Sequence, residues 1–378
     1  MLGRTYSKLD FQSILFERNC LPDGYRNVTL DLEDGTLDLP SCEGAHREGN
    51  RVVQHFPGYL VPQVDPKYRL FKTLDKKGYA VHLKGYASVE DYFDAHLKRS
   101  SKKAIKRALN RFEHCFEVSY TMFYRSISRD TYNFLLEALY KMISDRFKDR
   151  YTTHTALKQW EYYHSLFYRL VSEGRGSIFV IFDREIPIEI SLNFNFGNIM
   201  LSAFSSFNAD YAKFSLGNIE IYKQLEWCLE NGYVLFDMSY GDFKYKMDWS
   251  NLHYDFETHV ISKTSLGGPL ASFLEKKGQI TNYFIKKEVN HTYHRIKSIL
   301  KGERGPKEPD GRNIDFTLEK VDTSEMDKIN GLKRVNLVEP QWNRLKRYVY
   351  DYLYLEQKRL QDITIYQKSE TKFLIKSN

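Results

Sequence analysis

The stretch FNADYAKFSLGNIEIYKQLEWCLENGYVLFDMSYGDFKYKMDWS, residues 207–250, sets the fold expectation for the chain. Gly217-Asn218 opens a helix in which Ile219, Tyr222, Leu225 and Leu229 fall on one stripe, and Asn231-Gly232 closes it with a helix-ending glycine. The apolar run YVLFDMS (233–239) then reads as a buried strand. Behind it, YGDFKYKMDWS (240–250) gathers aromatics, acids and lysines around a glycine. Loops just past a strand are where α/β enzymes keep their chemistry, because a rigid sheet holds them. The plain alternative is a connector whose aromatics pack and whose charges are solvated.

Upstream, GSIFVIFD, EIPIEISLNFNFG and NIMLSAFSSF read as three strands joined by tight turns at Asp183-Arg184 and Gly197-Asn198. The middle strand alternates: Ile186, Ile188, Ile190, Leu192, Phe194 and Phe196 on one face, Glu189, Ser191, Asn193 and Asn195 on the other. That polar face meets water or lines a polar site. Before the strands, DTYNFLLEALYKMISDRFK (130–148) and ALKQWEYYHSLFYRLVSEG (156–174) are amphipathic helices. SVEDYFDAHLKRSSKKAIKRALNRFEHC (88–115) is helical with Ser88 as N-cap, and residues 98–112 hold seven Lys/Arg and no acid. Such a basic helix suits a phosphate or a nucleic acid, or is a solvated face around an apolar stripe. Residues 27–40 alternate like a hairpin turning near Asp34-Gly35, and GYAVHLKG (78–85) is another strand.

A hydrophobic share of 42% with 28% charged residues is globular rather than disordered. Cysteines at 20, 42, 115 and 228 are too dispersed for a CxxC metal spacing, so four free thiols in a reducing compartment are expected. The N-terminus lacks an export-type apolar run, and no stretch approaches the ~20 apolar residues of a membrane span. A soluble, cytoplasmic protein is the expectation. The basic surplus sits in residues 261–378, with 23 Lys+Arg against 15 Asp+Glu, while the other 260 residues carry 33 against 34. Glu288, His291 and His294 recur at helical spacing, but no further ligand cluster accompanies them, so no metal is expected.

RSSKKAIKRALNRFE, DREIPIEISLNFNFGN and the stretch 207–250 together resemble the GNAT acyltransferase superfamily, in its CelD/BcsL-type branch related to the FemABX peptidyltransferases. The resemblance covers roughly residues 90–250 and is most specific in its last stretch. It implies an α/β (α+β) fold: a GNAT-like mixed, mostly antiparallel central sheet flanked by helices, with a helical C-terminal extension. The domain expectation is 1–87 as a strand-rich N-terminal part of the GNAT-like unit, 88–260 as the acyltransferase core, 261–300 as a basic helical extension, 301–313 as a linker and 314–378 as a small C-terminal unit. Departures are visible. KFSLGN offers Lys213 and Gly217 in place of a glycine-richer phosphate loop, and Glu189 stands where a small apolar residue would be typical.

The resemblance implies an acyl-CoA co-substrate, acetyl-CoA foremost, with its pyrophosphate at Lys213, Ser215, Leu216, Gly217 and Asn218. Tyr240 or Tyr245 is then placed as the acid for the leaving thiolate. Asp237, Asp242 and Glu189 are candidate bases, and Lys246, Asn193 and Arg107 candidate acceptor-binding residues. The implied activity is N- or O-acyl transfer to a sugar, nucleotide-sugar or surface-polymer precursor by direct attack on the thioester. An aminoacyl-tRNA-dependent peptidyltransferase of FemABX type, with nucleic acid as partner, is the second reading. A non-catalytic GNAT-fold binding module is the third.

Overall fold

The computed structural model describes residues 7–32, 36–37, 39–42, 51–147, 155–263, 269, 271–273, 316–321 and 332–377. The N-terminal strands are β1 (Ser7–Asp10), β2 (Tyr25–Leu30), β3 (Thr36–Leu37), β4 (Arg51–Pro57), β5 (Leu60–Val64) and β6 (Arg69–His82). Helices α1 (Val89–His96) and α2 (Arg99–Cys115) lead to β7 (Val118–Tyr124), then α3 (Arg129–Phe147), α4 (Thr155–Lys158) and α5 (Trp160–Ser172). The meander β8 (Gly176–Asp183), β9 (Ile186–Phe196) and β10 (Ile199–Phe207) is followed by α6 (Leu216–Glu230), β11 (Leu235–Tyr240), α7 (Lys244–Trp249) and β12 (Leu252–Ser262). The C-terminal part holds β13 (Thr317–Lys320), β14 (Lys333–Arg334), α8 (Asn343–Glu356), β15 (Ile363–Gln367) and β16 (Lys372–Ser377).

Nine strands form one mixed sheet in the order β1-β4-β12-β6-β11-β10-β9-β8-β7. Pairs β1–β4 and β10–β11 are parallel, while β4–β12, β12–β6, β6–β11, β9–β8 and β8–β7 are antiparallel. This is the mixed, mostly antiparallel sheet flanked by helices that the resemblance implied. The β10–β11 register covers Ile199–Leu201 against Leu235–Asp237 and ends there, although β10 runs to Phe207 and β11 to Tyr240. The chain divides into two compact units: Met1–His82, Asn195–Leu201 and Leu235–Glu308; and Leu83–Phe194, Ser202–Val234 and Pro309–Asn378.

In the first unit the core is aromatic. Phe56 lies between Phe11 (centroids 4.4 Å) and His259 (4.3 Å), and the Tyr25 hydroxyl meets His259 Nδ1 at 2.7 Å. Burial of each such ring contributes about 1.5–3 kcal/mol. The expected hairpin forms as Val28↔Leu37 and Thr29↔Thr36, its turn at 33–35 lying outside the described residues. One expectation is overturned: Cys20 and Cys42 form a disulfide, leaving Cys115 and Cys228 as buried thiols. Twenty-two residues separate the pair, too many for a local motif, but Leu21 and Ser41 pair as a parallel bridge and bring the two sulfurs together.

In the second unit, Ser88 caps α1 by accepting from the Asp91 N–H (3.1 Å), and Leu97 leaves helical geometry, so one expected helix becomes two. The apolar stripe of α2, Ile105, Ala108, Leu109 and Phe112, is buried. Phe167 of α5 packs on Phe194 of β9 at 5.0 Å. The C-terminal sheet runs β13-β16-β15-β14, and Tyr350 of α8 packs on Tyr211 (4.6 Å) and Phe116 (5.0 Å). The expected linker 301–313, most of the expected extension 261–300 and the Glu288–His291–His294 cluster lie outside the described residues. Among the described residues no helix is long and apolar enough to cross a membrane.

Candidate functional site

The loop after β11 is built around a buried carboxylate. Asp237 is fully buried at mid-strand, so it must be paired. Tyr59 donates to Oδ2 (2.8 Å), Tyr254 lies 2.8 and 2.7 Å from its two oxygens, and the Ser239 N–H donates to Oδ1 (2.7 Å). Burial raises the Asp237 pKa, against the lowering effect of these donors and of Lys246. Two glycines make room. A Cβ on Gly78 would lie 2.2 Å from the Tyr254 ring, so only glycine lets that ring cross β6. Gly241 takes φ +112°, a conformation that L side chains rarely adopt.

Lys246, on the first turns of α7, folds back under this loop. Its ammonium donates to the carbonyls of Met238 (2.5 Å) and Tyr240 (2.6 Å) and is only 7% exposed. Burial pushes it down to about 8, against the pull of Asp237. Lys246 therefore holds the loop backbone, whereas the sequence suggested an anion clamp. Tyr240 and Tyr245 are 43% and 46% exposed. Asp242, also exposed, accepts from Tyr79 (2.7 Å). Trp249 is buried.

In the second unit, Ser215 at the head of α6 adopts left-handed φ 56°, ψ 46°, and its carbonyl accepts from the N–H groups of Asn218 (2.8 Å) and Ile219 (3.3 Å). The N–H groups of Leu216 and Gly217 precede these first intrahelical bonds, at the positive end of the helix dipole. A Cβ on Gly217 would meet nothing within 4 Å, so the space in front of this helix end is open. Lys213 and Ser215 are exposed beside it, and Leu216 anchors the turn in the core.

The polar face of β9 is buried. Asn193 donates to Gln224 (2.7 Å), Gln224 donates to Glu220 (3.0 Å), and Ser205 donates to the other Glu220 oxygen (3.2 Å). Glu189 joins this network as an acid beside an acid: its two oxygens are buried without a well-formed hydrogen bond among the described residues. Burial and the neighbouring Glu220 raise its pKa well above the ordinary value. Burial likewise pushes Glu220 up to about 7, against hydrogen bonds from Ser191, Ser205 and Gln224. Two carboxyls in one buried network resist ionising together, so each holds its proton to a higher pH than an exposed glutamate does. Asn193 and Glu189 thus belong to a buried network rather than to an open pocket.

Arg107 lies elsewhere in this unit, in a depression of about 790 Å³ along α2 that Arg99, Lys102, Lys103, Lys106 and Arg111 also line. Asp94 pairs with Lys102 and Glu90 with Lys106 (3.5 Å), and the remaining cations give the depression its charge. Sequence reasoning missed Tyr59, Tyr254, Glu220 and Gln224, none of which carries a local motif. Among the described residues no group of His, Cys, Asp and Glu side chains is arranged to hold a metal ion.

Residues 99–247 match the family model of the acetyltransferase (GNAT) domain, and the chain carries a GNAT acyltransferase domain there. No curated protein matches the sequence. Among solved structures, FemX is similar at 12% identity, covering 59% of this chain and 68% of that one, with a TM-score of 0.38. L-PGS from Bacillus licheniformis is similar at 14% identity (59% and 71% covered, TM-score 0.36). A GCN5-related N-acetyltransferase from Kribbella flavida is similar at 9% identity (57% and 68% covered, TM-score 0.26).

Proposed function

We propose that the chain transfers an acyl group, acetyl foremost, from acyl-CoA to a nitrogen or oxygen of a sugar, nucleotide-sugar or surface-polymer precursor. The observation that carries this reading is the GNAT-domain match over residues 99–247, which takes in both the open head of α6 and the loop after β11. In this reading the α6 N–H groups of Leu216 and Gly217, with Lys213 and Ser215 beside them, bind the donor pyrophosphate. The acceptor attacks the thioester carbonyl and loses a proton, the C–S bond breaks, and the thiolate takes a proton from the hydroxyl of Tyr240 or Tyr245. Asp237 and Lys246 keep the loop that carries both tyrosines in place. Tyr240→Phe and Tyr245→Phe, followed by free-thiol release from acetyl-CoA, test the acid. One of the two should lose about 10²-fold in turnover with acetyl-CoA affinity unchanged. Unchanged turnover in both variants would refute the assignment.

The basic depression on α2 favours a second reading, aminoacyl-tRNA-dependent peptidyl transfer, because clustered Lys and Arg are the footprint of a polyanion. Binding of tRNA that weakens steeply between 50 and 200 mM salt would move the assignment there.

A further inference from the structure

Three strands of the first unit each carry one residue more than the partner they pair with. Gln54 and His55 of β4 fit between the pairs Val53↔His259 and Phe56↔Glu257, opposite Thr258 alone. Asp75 and Lys76 of β6 fit between Leu74↔Glu257 and Lys77↔Asp255, opposite Phe256 alone. Met238 and Ser239 of β11 fit between Asp237↔Ala80 and Tyr240↔Gly78. His55 and Ser239 take left-handed φ angles of 58° and 61°. Bulges re-aim side chains, and non-glycine residues held at positive φ cluster at functional positions.

The side chains aimed this way meet one another. His55 Nδ1 lies 2.5 Å from Asp10 Oδ2, and a carboxylate only accepts, so Nδ1 is the donor. His55 Nε2 faces Lys76 Nζ at 3.1 Å, and since an ammonium only donates, Nε2 is the acceptor of that contact. Asp75 Oδ2 stands 3.9 Å from the same nitrogen. The Tyr240 ring stacks on the imidazole (6.0 Å, 19° between planes), Lys76 Nζ lies 4.0 Å from its centroid, and Phe256 closes the back with edge contacts to both rings. Solvent reaches the cluster, since the His55 side chain is 23% exposed.

A carboxylate that orients an imidazole and leaves its second nitrogen as an acceptor is the arrangement of a general base. We propose that His55, oriented by Asp10, is the base that deprotonates the acyl acceptor beside Tyr240, a role that rests on the acyl-transfer reading above. The acceptor N–H or O–H replaces the Lys76 ammonium at Nε2. As the acceptor attacks the thioester, its proton moves to Nε2 and Asp10 steadies the imidazolium. The thiolate leaves with the Tyr240 proton, and the imidazolium returns a proton to the Tyr240 oxygen through solvent. Asp10 is a positioning residue in this scheme, and the charges facing His55 are Asp10, Asp75 and Lys76.

The test uses the full chain with acetyl-CoA as donor and water or glucosamine as acceptor, reading thiol release, beside calorimetric binding of acetyl-CoA. His55→Gln should lower turnover about 10²-fold with binding unchanged. Asp10→Asn should lower it less and shift the pH at which the rate is half-maximal. Long-range proton–nitrogen NMR of the wild type should show the His55 ring proton on Nδ1, a readout that needs no variant to fold. Undiminished turnover in a His55→Gln protein that still binds acetyl-CoA would overturn the proposal alone. So would a proton on Nε2, or a wild type that binds acetyl-CoA yet releases thiol to neither acceptor. Failure of the wild type to bind acetyl-CoA would instead remove the acyl-transfer reading, and this proposal with it.

Discussion

Replacing Glu220 by Gln should stabilise the second unit at neutral pH and destabilise it in acid. Burial raises the folded-state pKa of Glu220 to about 7 from an ordinary 4.5. A group with a raised folded pKa contributes fully below its unfolded value and loses that contribution as pH climbs through the folded one. Between pH 4.5 and 7 the unfolded chain has released this proton while the native state keeps it, so stability falls with pH. At 1.36 kcal/mol per unit, the loss reaches about 3 kcal/mol by pH 7. Glutamine removes that titration. It keeps one acceptor for Ser205 or Gln224, which both donate to Glu220, and weakens the other bond at a cost of about 1 kcal/mol. The variant should therefore gain about 2 kcal/mol over the wild type at pH 8 and lose about 1 kcal/mol at pH 4. Because the chain divides into two units, hydrogen exchange of the α6 amides is the suitable assay, since it reads the local opening free energy. A variant no more stable than the wild type at pH 8, relative to pH 4, would refute the raised titration of the buried Glu220.

Two further substitutions probe the loop after β11. Gly78→Ala puts a methyl group into the Tyr254 ring and pushes its hydroxyl off Asp237, so a loss of about 3 kcal/mol is expected in chemical denaturation. Lys246→Met leaves the carbonyls of Met238 and Tyr240 without their donor, with an expected loss of about 1–3 kcal/mol and faster exchange of the loop amides. If Lys246 were instead an anion clamp, that variant would keep its stability and lose only acceptor affinity.

What the sequence could show follows from what is local. The order of three strands, a glycine-opened helix and a further strand depends on periodicity and turn chemistry carried within residues 176–240, and it appears as β8, β9, β10, α6 and β11. Ser88 is legible as a cap because a cap needs only the next three residues. The alternation of β9 separates Phe194, which packs on Phe167, from Asn193, which bonds Gln224, while a bulge at Ile188 and the exposed Ile186 depart from it. It could not reveal that the polar face is buried in a network with Glu220 and Gln224, since that depends on packing about 30 residues away. Asp237 is held by Tyr59 and Tyr254, 178 and 17 residues distant, and no spacing rule links them. The bulges that aim His55, Lys76 and Tyr240 are single-residue offsets between paired strands, which leave no local mark. Cys20 and Cys42 escaped notice for the same reason, because a bridge between chain segments brings them together.

The central claim is that the head of α6 receives an acyl-CoA. Calorimetric titration of the wild type and of Gly217→Trp with acetyl-CoA tests it most directly, because a Cβ at that position meets nothing within 4 Å and the indole should fill donor space without disturbing the core. Micromolar binding to the wild type, abolished in a Gly217→Trp protein that remains folded, is the predicted result. Equal binding by both proteins, or none by the wild type, would contradict it.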